Sequence, residues 1–411
     1  MNQSAQLSLI CPGRVLNFSG HWYSESSVII LGIMHILHLN YAFEALADGS
    51  ALLRRYTTLT QLCEAQVQAG ARVTVVQRFW RDENMMESGV VYHLRCAGAT
   101  LHAKPWTLTT SLHQLTRDMQ PDIVHVHGLG FPSQVLQLRQ TMGSRASIVV
   151  QHHGEQPASQ KARWLQRYCL AHVDGYLFTA KEIATVWRQH GIIRPRQPIL
   201  EAIEGSCHFA PVPKSMARQK TGLVGNPAIL WVGRLHARKD PLSVLDGFAL
   251  ARQQLPDAHL TMIYNDAPLL AQVQSRIAGS SMLRDRVHLI GVRPHADLPN
   301  WYSAADLFVT GSPAESCNYA LIESLACGTH AVCSHIPAHR KITAHGKYGQ
   351  LYAAGDARAC ADAILNAVSQ AAVLPTDHQH HFATNLSWPA IATQTLQAYQ
   401  AIVQAKEAYR A

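Results

Sequence analysis

Asp-x-Asp occurs nowhere in the 411 residues, no Cys-x-x-Cys pair is present, and no Gly-x-Gly-x-x-Gly follows the first apolar strand. The first absence argues against a Mg-dependent donor site, the second against a zinc site, and the third against dinucleotide or ATP chemistry. No stretch approaches the ~20 apolar residues of a membrane-spanning helix. The best candidate, residues 28–39, is short and broken by His35 and His38. Charge is scarce, at 15% of residues, and the Lys and Arg are scattered without a block resembling a nucleic-acid arm. No short repeat or low-complexity tract appears. The formal charge of +8 is still a moderate basic excess, which favours a polyanion or peripheral contact with an anionic membrane surface. Nine cysteines are an odd number. Cys63, Cys96, Cys169, Cys327 and Cys333 sit in apolar surroundings and read as reduced, buried small hydrophobes of a cytoplasmic chain.

What is present is apolar sequence, 47% of the chain, enough for two or three cores. Residues 1–33 form an extension without clear periodicity, and Met34 stands where such folds begin; translation from Met34 is the expectation there. From Met34 strand and helix alternate, with strands at 34–40, 73–77, 90–94, 122–127, 147–152, 175–178 and 198–203. Helices are expected at 52–69, 107–119, 133–142, 160–171 and 181–190, with Asp48, Gly49 and Ser50 in a loop. Pro211, Pro213, Gly222, Gly225 and Pro227 then interrupt any period, so 211–227 reads as a linker. Alternation restarts with strands at 229–232, 259–264, 287–290 and 330–334 and helices at 241–253, 268–278, 298–305 and 357–369. A helix at 388–405 is long enough to cross back over the linker. The expectation is α/β, with two Rossmann-like doubly wound domains facing a cleft, at 34–210 and 228–385, and a carboxyl-terminal segment at 386–411.

The stretch 307–328 reads as a strand, a tight turn and a helix. Helix N-termini present unpaired N–H groups and a positive dipole end, which favour an anion. Glu315 in the turn and Glu323 about one helical turn beyond the helix start repel phosphate, so they suit hydroxyl groups; a surface helix with two solvated glutamates is the alternative. A second apolar strand ends at Gly233 and is followed by Arg234, Arg238 and Lys239, then Asp240 as N-cap and Pro241 in the first helical turn. Arg234 offers a planar fork and Lys239 a point charge, both matched to a diphosphate, against the alternative of a solvated basic loop. On the amino-terminal side His127 and His153 end strands, where they could meet sugar hydroxyls or be incidental among 24 histidines.

As an ordered set, these residues resemble a retaining nucleotide-sugar glycosyltransferase of the GT-B fold, glycosyltransferase family 4. The resemblance rests on Val232 to Leu235 with Lys239 and Asp240, on Gly291 to Asp306, on the Glu315 and Glu323 pair with Gly328, on Pro121 to Gly128, and on Leu386 to Trp388. It implies that Gly233, Arg234 and Lys239 hold the diphosphate, with the helix-end residues Asn318, Tyr319 and Ala320 beside them. Glu323 would bind ribose, Glu315 the donor sugar, His127 the sugar at the reacting centre, and Val292 and Arg293 the base. His127, Glu315, Arg234 and Lys239 are thus the expected catalytic group, with Gly49 and His153 on the acceptor or phosphate side. Ser316 and Asn318 replace the family's glycines; Asn tolerates left-handed backbone, which would preserve the amide cradle. The implied co-substrate is a nucleoside diphosphate sugar, with no metal or other cofactor and no nucleic acid. The implied acceptor is a glycan, a lipid-linked molecule or a small molecule, as in polysaccharide biosynthesis. A GT-B nucleotide-sugar 2-epimerase and an inactive nucleotide-sugar binder remain alternatives.

Overall fold

The computed structural model describes residues 14–16, 22–24, 33–96, 109–369 and 374–410. Residues 1–34 form a first unit, in which β1 (Arg14–Leu16) and β2 (Trp22–Ser24) pair antiparallel. The rest of the 1–33 extension and the expected helix start at 107 lie outside the described residues. The second unit, 35–411, holds two sheets.

The first sheet contains β3 (His35–Asn40), β4 (Arg72–Phe79), β5 (Glu83–Glu87), β6 (Val90–Cys96), β7 (Ile123–His127), β8 (Ser147–Gln151), β9 (Gly175–Phe178) and β10 (Ile199–Glu201). Its order is β10-β9-β8-β7-β3-β4-β6-β5, parallel except for β5 at the edge. The second contains β11 (Ala228–Gly233), β12 (His259–Tyr264), β13 (Val287–Gly291), β14 (Leu307–Thr310), β15 (His330–Ser334) and β16 (Gln350–Tyr352), in the order β13-β12-β11-β14-β15-β16. In both, strand order reverses beside the first strand, at β3/β7 and at β11/β14. Such reversal points open a crevice at the carboxyl ends of the strands.

Helices cover the sheets. In the amino-terminal half they are α1 (Gly49–Arg55), α2 (Thr57–Gln68), α3 (Thr110–Asp118), α4 (Pro132–Met142), α5 (Arg163–Leu170) and α6 (Thr185–Gln189). Then follow α7 (Lys214–Thr221), α8 (Pro241–Ala251), α9 (Leu270–Ala278), α10 (Leu298–Ala304), α11 (Tyr319–Ala326), α12 (Pro337–Ile342), α13 (Ala357–Ser369), α14 (Pro375–His381) and α15 (Trp388–Arg410). Because helices cover both faces, β11 reads as a continuous apolar run and all six residues of β3 are buried, polar His35, His38 and Asn40 among them. Each Leu, Ile or Val so buried contributes about 1.5–3 kcal/mol.

Several elements differ from expectation. The single helix at 52–69 is two, broken at Tyr56, and it starts earlier because Asp48 Oδ1 accepts a hydrogen bond from Ala51 N and caps α1. Gly49 is therefore helical rather than in a loop. Residues 211–227 hold α7, which fits between Pro213 at its N-cap and Gly222, left-handed at φ 66°, at its C-cap. Cys96 is exposed at the end of β6, a correction to the expected burial, whereas Cys63, Cys169, Cys327 and Cys333 are buried. The last helix, α15, returns to the first sheet: Tyr399 meets His125 and Gln66, and Lys406 Nζ donates to Ala146 O at 2.6 Å.

Candidate functional site

β11 and β14 end side by side, and the turns that follow them face the amino-terminal half across a cavity of about 700 Å³. Gly233, Arg234 and Lys239 line it on one side, Asn318, Tyr319, Ala320 and Glu323 on another, with Arg293 at the rim. Arg55 and Thr58, which belong to no sequence motif, enter from the amino-terminal half. Gly205 is required at the crossing between halves, since a Cβ there would lie 2.2 Å from the Tyr319 ring.

The α11 end is built by side chains. Asn318 has φ −119°, so it does not take the left-handed backbone expected of a glycine substitute. It acts instead as N-cap, its Oδ1 accepting from Leu321 N at 3.3 Å. Its amide Nδ2 donates to His339 Nε2 at 3.0 Å, and His339 Nδ1 donates to Ser334 O at 2.8 Å. This pattern needs neutral His339, and burial holds its pKa down to about 4. His339 thereby fixes the amide orientation that lets Asn318 cap the helix. Nothing in the sequence around 339 marks that role.

Glu323 is buried, and both its oxygens accept hydrogen bonds at 2.8 Å, one from His295 Nε2 and one from Tyr302 OH. The bond to Glu323 raises the His295 pKa. Arg234 is exposed and its side chain makes no ion pair or hydrogen bond among the described residues. Lys239, expected beside it, pairs with Glu315, so two residues expected to meet different parts of a donor hold one another. Val292 points away, with 64% of its surface exposed, and does not line the cavity.

Across the cleft, β3 and β7 bring histidines to their reversal point. His38 Nε2 donates to Gln66 Oε1 (2.7 Å), and His127 Nε2 donates to His38 Nδ1 (2.9 Å). His153 Nε2 donates to His127 Nδ1 (3.1 Å), and His153 Nδ1 donates to Glu204 Oε2 (2.6 Å). Gln66 Nε2 donates to Tyr399 OH in this arrangement, which leaves Gln66 Oε1 to accept from His38 and sets the direction of the protons along the row. In that direction His153 presents both ring nitrogens to acceptors, an arrangement that favours its charged form. Burial alone would lower its pKa, but the bond to Glu204 and the charges of Glu204 and Glu155 raise it. His127, by contrast, is kept neutral by burial and by His125, His38 and His153 around it. Glu204 Oε1 accepts from Ser316 Oγ at 2.6 Å, so the row ends on the turn that carries Glu315. Sequence reading missed Glu204, whose side chain is 4% exposed, because no motif surrounds it.

His38, His125 and His127 lie with ligand atoms within 4.8 Å, a grouping the sequence spacing did not disclose. A shared metal would have to sit in the plane of each ring. His125 instead lies over the face of His127, with centroids 4.4 Å apart and planes 17° apart. The arrangement suits a stacked hydrogen-bonded row better than a metal centre. Gly49 joins neither group: a Cβ there would meet Glu83, Met85 and Leu94 at the far edge of the sheet, which corrects its expected place beside the phosphate.

Residues 57–199 match the family described as Glycosyltransferase Family 4, and residues 226–370 match Glycosyl transferases group 1. A D-inositol 3-phosphate glycosyltransferase of Pseudarthrobacter chlorophenolicus is 24% identical over 384 residues, 84% of this chain and 89% of that protein. The namesake from Thermobispora bispora is 29% identical over 204 residues, about half of each chain at 46% and 47%. Among solved structures, sucrose-phosphate synthase from Thermosynechococcus elongatus superposes with a TM-score of 0.65 at 21% identity, covering 90% of this chain and 100% of that one. An Anabaena protein, HepE, solved in complex with UDP, also gives 0.65, at 16% identity and with the same coverage. The chain thus carries a glycosyltransferase family 4 domain in its first half and a group 1 glycosyl transferase domain in its second, on a GT-B fold.

Proposed function

We propose that the protein is a retaining transferase that moves a hexosyl-type sugar from a nucleoside diphosphate sugar to a glycan, lipid-linked or small-molecule acceptor without a metal. The observation that carries this reading is the cavity in which unpaired Arg234 faces the capped end of α11 and the fixed carboxylate of Glu323. The relatives' names point to phosphorylated acceptors, inositol 3-phosphate among them. The diphosphate leaves as Arg234, Lys239 and the α11 amides stabilise the growing charge. The acceptor hydroxyl then gives its proton to the leaving oxygen on the same face of the sugar. His127 and Glu315 border the reacting carbon in this scheme, and His153, whose pKa the bond to Glu204 raises, stands on the acceptor side.

A thermal-shift screen of nucleoside diphosphate sugars identifies the donor, because a bound donor raises the melting temperature. Transfer from that donor should proceed equally in excess EDTA and in added Mg or Mn. A large loss in EDTA that metal restores overturns the metal-free scheme. Release of free nucleoside diphosphate with sugar isomerisation and no transfer would instead mark an epimerase.

Glu323 tests the ribose assignment. Its oxygens are already oriented by His295 and Tyr302, so ribose hydroxyls would meet a preorganised acceptor that contributes equally to ground and transition states. Glu323→Gln should therefore raise KM roughly tenfold with little change in kcat. Wild type should discriminate against a 2′-deoxy donor, and the variant should hardly do so. Undiminished discrimination by the variant removes Glu323 from the ribose site.

A further inference from the structure

Helix α5 has the residues Arg163, Trp164, Leu165, Gln166, Arg167, Tyr168, Cys169 and Leu170. Gln166, Cys169 and Leu170 are buried and fix which face turns inward. Trp164 and Tyr168, four residues apart, turn outward with 66% and 58% of their surface exposed. Large aromatic rings left in water at helical spacing do not serve this core.

Charge around them is of one sign. Residues 156–173 and 183–200 together carry Lys161, Arg163, Arg167, Arg188, Arg194 and Arg196, and no Asp or Glu. The two stretches share a surface, because Arg167 Nε donates to His190 O and Arg163 Nη1 lies 3.2 Å from His190 Nδ1. His172 registers the same field: burial lowers its pKa, and Arg194, Arg139 and Arg196 lower it further. The acids that border this surface are engaged, Asp174 with Arg139 and Lys406, Glu182 with Arg340, and Glu201 with Lys341.

We propose that the α5 face, with Trp164 and Tyr168 at its centre and the six cations around them, docks the protein on an anionic lipid surface. Trp and Tyr rings settle at the headgroup level, with an apolar body inward and a polar atom outward. Cations around them draw the helix to anionic headgroups, each strengthening binding roughly fivefold. A nucleic acid would use the cations but not two rings projecting from a convex helix. The eight Cα-to-Cα steps from Glu155 in the cleft to Arg163 span at most ~28 Å, so a docked α5 holds the acceptor side of the cleft near the lipid. The inference does not depend on the transfer reaction, and its test uses no donor.

The test is co-sedimentation of the full chain with vesicles of phosphatidylcholine, with and without phosphatidylglycerol. The protein should pellet only with the anionic vesicles and be released by high salt. The pair Trp164→Ser and Tyr168→Ser should lower partitioning roughly tenfold or more, and the pair Lys161→Gln and Arg194→Gln roughly 25-fold, each with an unchanged melting temperature. If both pairs lower the melting temperature, Lys161→Gln alone, an exposed position in a turn, should still weaken binding roughly fivefold. Failure to pellet, equal binding by the aromatic pair, or binding to duplex DNA in place of vesicles overturns the proposal. Loss of vesicle binding with donor binding retained, or the reverse, separates this inference from the proposed reaction.

Discussion

Lowering the pH from 7 to 5 should destabilise the fold by about 8 kcal/mol, comparable with the whole stability of a typical domain at about 5–15 kcal/mol. The cause is the number of histidines folded in a neutral state. His38, His113 and His339 have pKa values lowered from 6.5 to about 4, and His378 to about 3, in each case first by burial. A group whose folded pKa lies below its unfolded value stabilises the fold above the unfolded value. That stability is lost as the pH falls from 6.5 toward 4. At one pKa unit to about 1.4 kcal/mol, each of the four gives up about 2 kcal/mol by pH 5. His153 and His295 act in the opposite sense, since their raised pKa values add stability as the pH falls. Their side chains are 33% and 68% exposed, so solvent screening keeps that gain small. The four buried groups win. The damage also has a place: protonated His339 turns its Nε2 into a donor facing the Asn318 amide, which removes the cap of α11. Urea unfolding followed by circular dichroism at pH 7, 6 and 5 measures the effect. An unchanged midpoint from pH 7 to 5 contradicts it, and His113→Phe should reduce the slope.

These histidines also show what sequence can and cannot disclose. The strand-helix alternation was legible because parallel strands buried on both faces are rich in apolar residues, as β11 is throughout, β14 is up to Thr310, and β3 and β7 are between their histidines. The cations after Gly233 and the two glutamates around Asn318 were legible because their spacing is local. Elements with weak or mixed periodicity were not: β5, with polar Glu83, Asn84 and Glu87, gave no strand signal, and α7 is polar nearly all round. The row from Gln66 to Glu204 was hidden for another reason. Its members come from α2, β3, β7 and the segments after β8 and β10, so only the parallel register that sets His38 beside His125 brings them together. His339 is similarly remote from Asn318 by 21 residues. The Lys239–Glu315 pair escaped notice because each residue had a separate role by resemblance.

That pair makes the two cations of the cleft unequal, and their variants should differ accordingly. The Arg234 side chain has no partner among the described residues, so Arg234→Ala removes a cation and breaks no ion pair. If Arg234 acts on charge that develops as the diphosphate leaves, kcat should fall roughly 10²- to 10³-fold while donor binding weakens less. Lys239→Ala does more, because it also frees the Glu315 carboxylate to face the same diphosphate. Glu315 is only 11% exposed at its side chain, so water screens the released charge poorly. The Lys239 loss should therefore exceed the Arg234 loss, and adding Glu315→Gln to Lys239→Ala should recover part of it. Adding Glu315→Gln to Arg234→Ala should recover nothing, since that carboxylate is still held by Lys239. Single-turnover rates with saturating donor resolve the four variants without interference from product release. If Lys239→Ala costs less than Arg234→Ala, or if Glu315→Gln gives both the same rescue, the ion pair does not control the cleft and the diphosphate is held elsewhere.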